Sequence, residues 1–567
     1  MSLIGTLHIA NNSLIAAQIG IQVAGNNLAN ANPEGYVRQE AVFQPAPTQQ
    51  FGDLRLGLGV QVKEIASRSD VFLDERLRNA KGDVAFSDAQ ETAYLELESL
   101  LGELTDSDLS SSLVKFFGNI HDVLNQPDEL PLRSLAIDVG DGLTRDFHRI
   151  ANEVTNAQRN NDREIAFSVN EINAIFKEIS RLNSRVVSVE ASASGNATAS
   201  GLRNERGIHL KRLAELLDVR VVEQANGSVG IFNGGEYFVF DSEYRELKLG
   251  QSDDGRQELH FADTDVALRI NAGRIGGLIS ARDEVFGGFL KEFEEFTKTF
   301  IFEFNKVYSN GQGLSGFERL AGEYGLEDRT AALDQAGLLF TPENGSFQVE
   351  VYNSETETVE TTDIFVKLNG LDDDTTLESL AGELNAIDGI TVSITPDNHL
   401  EFVTDSSHLE FGFASDTSGA LAALGINTFF NGADSGGLAS ANIGVSQYLQ
   451  EDSSKFAASL GGVGVDTGNV ERLATLYDDA LENHQGNSLA DLYENFVGDV
   501  AQGSAVTRSV AAGYRSFERT LEGQSLAISG VSIDEEAINM ISYQRAYQAS
   551  ARLIATISEL LDVLVSL

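Results

Sequence analysis

NNLANANPEGYVRQ, residues 26–39, closes an uncharged run at the start of a very acidic chain. Four of its first seven residues are asparagine. No Asp, Glu, Lys or Arg occurs between Ser2 and Pro33, although the 567-residue chain carries a formal charge of −46. Upstream, Leu3, Leu7, Ala10, Leu14, Ala17, Ile21, Ala24 and Leu28 alternate spacings of four and three. That period predicts one helix with a single apolar seam of coiled-coil type. Asn32 precedes Pro33, which disfavours helical backbone at Asn32. Gly35 admits positive φ at little cost. Residues 26–39 are therefore read as a helix exit followed by a turn.

The other end mirrors this pattern. Ser532 followed by Glu535 has the spacing of a capping box. Met540, Tyr543, Tyr547, Ser550, Ile554, Ile557, Leu561 and Leu564 then repeat at three and four. Each stripe alone leaves an apolar face wet, so the two ends are expected to pack together. A helix facing bulk water normally carries charge on its polar face. The first helix has none, which suits burial against copies of itself.

Length and composition narrow the function classes. A chain of 567 residues exceeds what one core usually serves, so several domains are expected. Hydrophobic residues make up 42% of it, enough for real cores. The 86 acidic against 40 basic residues have the wrong sign for general nucleic-acid or anionic-membrane binding. Cysteine is absent, which removes disulfides, thiol nucleophiles and Cys-ligated metal sites. No basic n-region and no run of about 20 apolar residues is present, so neither a cleaved signal nor membrane insertion is expected.

The two ends together resemble the flagellar axial family of rod, hook and hook-associated proteins. NNLANANPEGYVRQ is similar to its N-terminal signature. SGVSIDEEAINMISYQRAYQASARLIATISELLDVLVSL, residues 529–567, is similar to its C-terminal one. DEEAINMISYQRAYQASARLI and LAALGINTFFNG (421–432) resemble the hook-associated protein 1 subfamily at the hook–filament junction. The family usually reads Asn-Thr-Pro-Gly-Tyr at the turn. Here Asn32-Pro33-Glu34-Gly35-Tyr36 places the proline one position earlier.

The resemblance implies a structural adaptor ring, with the terminal helices lining the axial core. Expected core-packing residues are Leu3, Leu7, Leu14, Ile21, Leu28, Met540, Tyr547, Ile554, Ile557, Leu561 and Leu564. Expected turn residues are Asn27, Asn30, Asn32, Pro33, Gly35, Tyr36, Arg38 and Gln39. Implied partners are other copies of the chain, the hook protein, the second junction protein, filament flagellin or its cap, and an export chaperone. Implied location is the extracellular flagellum, reached through the flagellar type III apparatus. Two rivals stand beside this reading: a hook or distal-rod protein, and a secreted adhesin or surface-binding protein whose working part is the middle of the chain.

Between the ends, the expected fold class is multidomain α+β. Residues 1–35 and 532–567 form the paired terminal helices, as a coiled coil. Residues 36–330 and 455–531 form a mainly helical inner domain with a β segment near 219–270. Residues 331–454 form an acidic, β-rich inserted outer domain containing one Lys and no Arg. Ile165, Val169, Ile172, Phe176, Ile179 and Val186 mark a long amphipathic helix. Asn226-Gly227 and Gly234-Gly235 mark hairpin turns. Phe286, Phe289, Phe293, Phe296 and Phe300 read as core. Val510, Tyr514, Phe517, Leu521 and Ile528 keep to one helical face. SFQVEVYN, GITVSI and HLEFVT alternate like strands, and TLESLAGELNAI reads as a short helix.

No catalytic constellation emerges. The eight histidines, His8, His121, His148, His209, His260, His399, His408 and His484, make no HExxH pair and no zinc spacing. Gly57 and Gly59 lack the rest of a nucleotide loop. Asp372, Asp373 and Asp374 lack EF-hand spacing and read as a solvated turn. Asn196-Ala-Thr198 fits a sequon without further support. No enzyme activity, cofactor or metal is expected.

Overall fold

The computed structural model describes residues 3–566 apart from 33–34, 52–53, 103–107, 193–198, 253–254, 372 and 434–436. The fold mixes helix and sheet, and the chain divides into two compact units. One comprises residues 1–92, 160–282 and 506–567, the other 93–159 and 283–505. Among the described residues four helical segments, Val71–Leu101, Leu130–Ser192, Ala281–Phe286 and Leu489–Ser529, contribute residues to both.

In the first unit, the alternation of apolar residues along Leu130–Ser192 buries Ile165, Val169, Ile172, Phe176 and Ile179. They pack with Leu210, Leu213 and Leu216 of helix Ser200–Leu216, and with Val229, Ile231, Phe238 and Val239 of a sheet. The sheet is an antiparallel meander of Arg220–Glu223, Val229–Asn233, Glu236–Phe240 and Glu243–Tyr244. Gly227 and Gly234, at its first two turns, both have positive φ. Asn183 ties helix to sheet: Nδ2 donates to Val229 O and Asp241 O at 2.8 Å each, and Oδ1 accepts from Val229 N at 3.1 Å.

The terminal helices, Leu3–Ala29 and Ile533–Ser566, also belong to this unit and pack side by side. A hairpin, Gln39–Pro45 paired with Val60–Ser67, lies against the N-terminal helix. Helix Leu489–Ser529 carries the expected one-sided run of Val510, Tyr514, Phe517, Leu521 and Ile528. Leu521 is buried, but Val510, Tyr514, Phe517 and Ile528 are exposed. From residue 506 on, where the helix belongs to this unit, Ala511, Leu521 and Ser525 are buried, and charge holds the helix: Arg515 Nη2 pairs with Asp88 at 2.7 Å and also with Glu91, and Lys81 pairs with Glu518 at 3.6 Å.

In the second unit, the phenylalanine stripe is core. Phe289, Phe293, Phe296, Phe300 and Phe304 of helix Gly287–Tyr308 are buried, and Phe147 stacks on Phe293 at 5.4 Å between ring centroids. LAALGINTFF is a buried plug over this helix. Asn305 Oδ1 accepts from Phe429 N and Phe430 N, while Asn427 Nδ2 donates to Ser309 O and Gly311 O. Beyond it, Thr358–Val366, Gly345–Asn353 and Leu409–Ala414 form a three-stranded antiparallel sheet, in that spatial order. A second sheet joins Arg319–Ala321, Leu400–Thr404 and Ile390–Ile394. Leu377–Leu384 is the short helix, opened by a Thr376–Ser379 capping box.

Candidate functional site

Small residues govern how the N-terminal helix meets its partner. Ala10, Ala16, Ala17, Gly20, Val23, Ala24 and Asn27 are buried, whereas Leu3, Leu7, Leu14, Ile21 and Leu28 are only half-buried. The apolar face of this helix is thus wider than one partner can cover. The half lined by Ala, Gly and Ser takes the C-terminal helix, because small side chains let two helices approach closely. Ser13 accepts a 3.0 Å hydrogen bond from Ser550 Oγ across the seam. A Cβ on Gly20 would sit 2.8 Å from the base of the Tyr543 ring, so the ring lies directly on the glycine.

On the C-terminal helix, Ser550 and Ile557 are buried and Met540, Tyr543, Ile554 and Leu561 are half-buried. Tyr547 is 38% exposed. The Leu564 side chain lies outside the described residues. On other faces Ile538, Ile541, Leu553, Leu560 and Val563 are exposed.

The turn after the first helix builds a polar clasp at the base of the pair. Asn27 is buried at its centre. Its Nδ2 donates to Gln39 O at 2.8 Å and to Glu536 Oε2 at 3.1 Å. Its Oδ1 accepts from Tyr36 OH at 2.9 Å and from Gln39 N at 3.0 Å. One amide thereby joins the exit of the first helix, the strand after it and the start of the last helix. Arg38 completes the clasp, donating to Glu535 Oε2 at 3.0 Å and forming an ion pair with Glu536 Oε1 at 2.6 Å. Glu536 is only 3% exposed. Arg38 N also bonds Ser529 O at 3.0 Å. Burial first, and then the Glu536 carboxylate, push the Tyr36 phenol above its ordinary pKa.

The remaining motif residues shape the turn. Gly35 has φ +80°, and a Cβ there would meet Ile208 Cγ1 at 2.9 Å, so only glycine fits. Asn30 Nδ2 bonds Asn26 O, and Gln39 Nε2 bonds Ser200 Oγ. Asn32 is exposed, and Pro33 lies outside the described residues.

Nothing in the local sequence singles out Glu535 and Glu536 as clasp residues. An Asp-Glu-Glu run at a helix start ordinarily complements the helix dipole. The Ser532 cap is present, with Glu535 N donating to Ser532 Oγ at 3.4 Å, but the Glu535 carboxylate turns to Arg38 rather than back to the cap. Gly20 and Ser13 are equally silent, since small residues carry no periodic signal.

Elsewhere the chemistry-bearing residues have packing roles. His148 Nε2 lies 2.6 Å from Ile443 O, and His399 Nδ1 lies 3.0 Å from Gly322 O. Gly59 rests against Ile9 of the N-terminal helix rather than in a phosphate loop. Asp374 accepts from Asn369 N and Gly370 N, closing a turn, and Asp373 pairs with Lys367; Asp372 and the sequon lie outside the described residues. Among the described residues no helix is long and apolar enough to cross a membrane, and no three His, Asp or Glu side chains are grouped to hold a metal ion.

Known proteins match the same regions. Residues 94–322 match the family described as flagellar hook-associated protein FlgK helical domain. Residues 522–567 match the flagellar basal body rod FlgEFG protein C-terminal family. The chain is 23% identical to flagellar hook-associated protein 1 of Bacillus subtilis, over 99% of this chain and 97% of that one. It is 24% identical to flagellar hook-associated protein 1 of Escherichia coli, over 98% of each. The solved flagellar hook junction protein FlgK of Burkholderia pseudomallei aligns with a TM-score of 0.49 and 11% identity, covering 80% of this chain and 100% of that one.

Proposed function

We propose, since this chain belongs to the flagellar hook-associated protein 1 family, that the uncovered faces of its terminal helices are subunit contacts in an adaptor ring between hook and filament. The protein is a structural component of the bacterial flagellum, outside the cell, and not an enzyme.

One observation carries the reading of the ends. The helix pair closes through small residues and leaves Leu7, Leu14, Ile21 and Leu28 half-covered on one helix and Ile538, Ile541, Leu553 and Leu560 exposed on the other. Two further faces remain for neighbours in a ring, and supercoiling of the pair would keep its seam continuous along the axis. On this reading residues 1–35 and 532–567 are the axial core, 36–330 with 455–531 the inner domain, and 331–454 the outer domain. Hook protein lies on one side of the ring, and the second junction protein with flagellin or its cap on the other. The chain travels through the flagellar type III apparatus with an export chaperone, and the absence of Cys leaves no disulfide to lock it beforehand.

The test is electron microscopy of cells lacking the chain, with an assay for flagellin in the medium. Hooks without filaments and soluble flagellin outside are expected. Missing hooks would move the protein to the rod or hook, and normal filaments would remove it from the junction.

A further inference from the structure

We propose that strand Thr358–Val366 is a docking edge that takes an extended, basic segment of a partner protein as an added strand. The strand is nine residues long and lies at one side of its three-stranded sheet. The opposite side is closed: Phe317 and Phe411 exchange two backbone hydrogen bonds, at 2.7 and 2.9 Å, beyond strand Leu409–Ala414.

The ladder fixes which groups are free. Thr417 N donates to Ser346 O and Ser354 N donates to His408 O, so even-numbered residues of Gly345–Asn353 turn their backbone toward Leu409–Ala414. Odd-numbered ones therefore face Thr358–Val366. The register pairs Phe347 with Ile364, Val349 with Thr362 and Val351 with Glu360. By alternation, Val359, Thr361, Asp363 and Phe365 point their N–H and C=O groups out of the sheet edge. The same four side chains stand on the solvent face, with Val359 54% and Phe365 60% exposed. An added strand would find backbone partners along the edge and an apolar contact near each end, which is how strand addition gains affinity and selectivity.

Charge selects the occupant. Glu355, Glu357, Glu360 and Asp363 are exposed along the edge and its hairpin, and the nearby cation, Lys367, is paired with Asp373 at 3.3 Å. Residues 331–454 hold 21 Asp and Glu against one Lys. Antiparallel pairing of two copies through this strand would bring two stretches holding Glu357, Glu360 and Asp363 side by side, and their mutual repulsion opposes self-pairing. A basic strand meets complementary charge at the same positions.

The probe is an acetylated, amidated peptide of alternating lysine and valine, KVKVKVKV, titrated into the full-length chain, with EVEVEVEV as its charge-reversed control. KVKVKVKV is expected to bind and to slow amide exchange at Thr361, Asp363 and Phe365, leaving Thr362 and Ile364, already bonded to the neighbouring strand, unchanged. Thr361→Pro removes one outward N–H, a change an edge strand tolerates, and is expected to weaken binding by about tenfold. Asp363→Lys, which keeps every backbone group, is expected to weaken KVKVKVKV and not EVEVEVEV. Binding indifferent to both substitutions, or equal affinity for the two peptides, would overturn the proposal. So would concentration-dependent dimerisation of the chain abolished by Thr361→Pro, because the occupant would then be a second copy.

Discussion

Asn27 and Glu536 illustrate how much two residues decide. They are 509 positions apart in sequence, and both are buried in one hydrogen-bonded clasp. A buried carboxylate is tolerated only while paired, so the Arg38 side chain holds more than its own place. Arg38→Ala leaves Glu536 buried without its cation, and the opening free energy of helix Leu3–Ala29, read by native-state hydrogen exchange, is expected to fall by about 3 kcal/mol. Adding Glu536→Gln to that variant is expected to restore part of the loss. An unchanged exchange rate in Arg38→Ala would mean the clasp does not hold the helix. Asn27, Tyr36, Arg38 and Gln39 are legible as a motif through the family resemblance of the turn. Their acidic counterpart is not, because nothing in DEE marks which carboxylate will be buried.

Among the elements, periodicity places both terminal helices and leaves open which part of the first one is used. The large residues Leu7, Leu14, Ile21 and Leu28 draw the eye. The helix nevertheless meets its partner at Ser13 and Gly20, and its most buried residues include the small Ala10, Ala17 and Ala24. Close approach favours small residues wherever a bulky ring must lie flat on a backbone, as Tyr543 does on Gly20. Gly20→Val is therefore expected to loosen the pair by about 2 kcal/mol despite replacing a poor helix former, measured as faster limited proteolysis within residues 3–29. Slower proteolysis would show that the seam has room to spare. The C-terminal half of helix Leu489–Ser529 likewise exposes the large Val510, Tyr514 and Phe517 while Ala511 and Leu521 are buried.

For the chain taken entire, the question is how so acidic a protein meets its own copies. The formal charge of −46 opposes association, and residues 331–454 supply −20 of it, from 21 acidic residues and one Lys. Of the terminal helices, where contacts between copies are proposed, the N-terminal one carries no charged side chain, and the C-terminal one carries five acidic and two basic residues. Charge is thus kept off the N-terminal helix and sparse on the C-terminal one. Screening with salt acts on the repulsion and leaves apolar contact intact. Self-association of the purified chain, followed by sedimentation velocity, is expected to rise between about 0.05 and 0.5 M NaCl, as the Debye length shrinks from more than about 10 Å to below about 8 Å. A fall with salt would mean that complementary ion pairs, rather than apolar faces, join the copies.

Interactions between neighbours along the chain account for everything that could be read from the residues alone. A three–four spacing makes the terminal helices, Asn226-Gly227 and Gly234-Gly235 make turns, and regularly spaced phenylalanines make a core, because helix period and turn chemistry act over a few residues. Three outcomes were settled only by folding in three dimensions: which half of the first helix is covered, which glutamate is buried beneath Arg38, and which strand is left with an open edge. Each depends on a partner tens to hundreds of residues away, and the choice among partners is made by shape, close approach and the cost of burying charge.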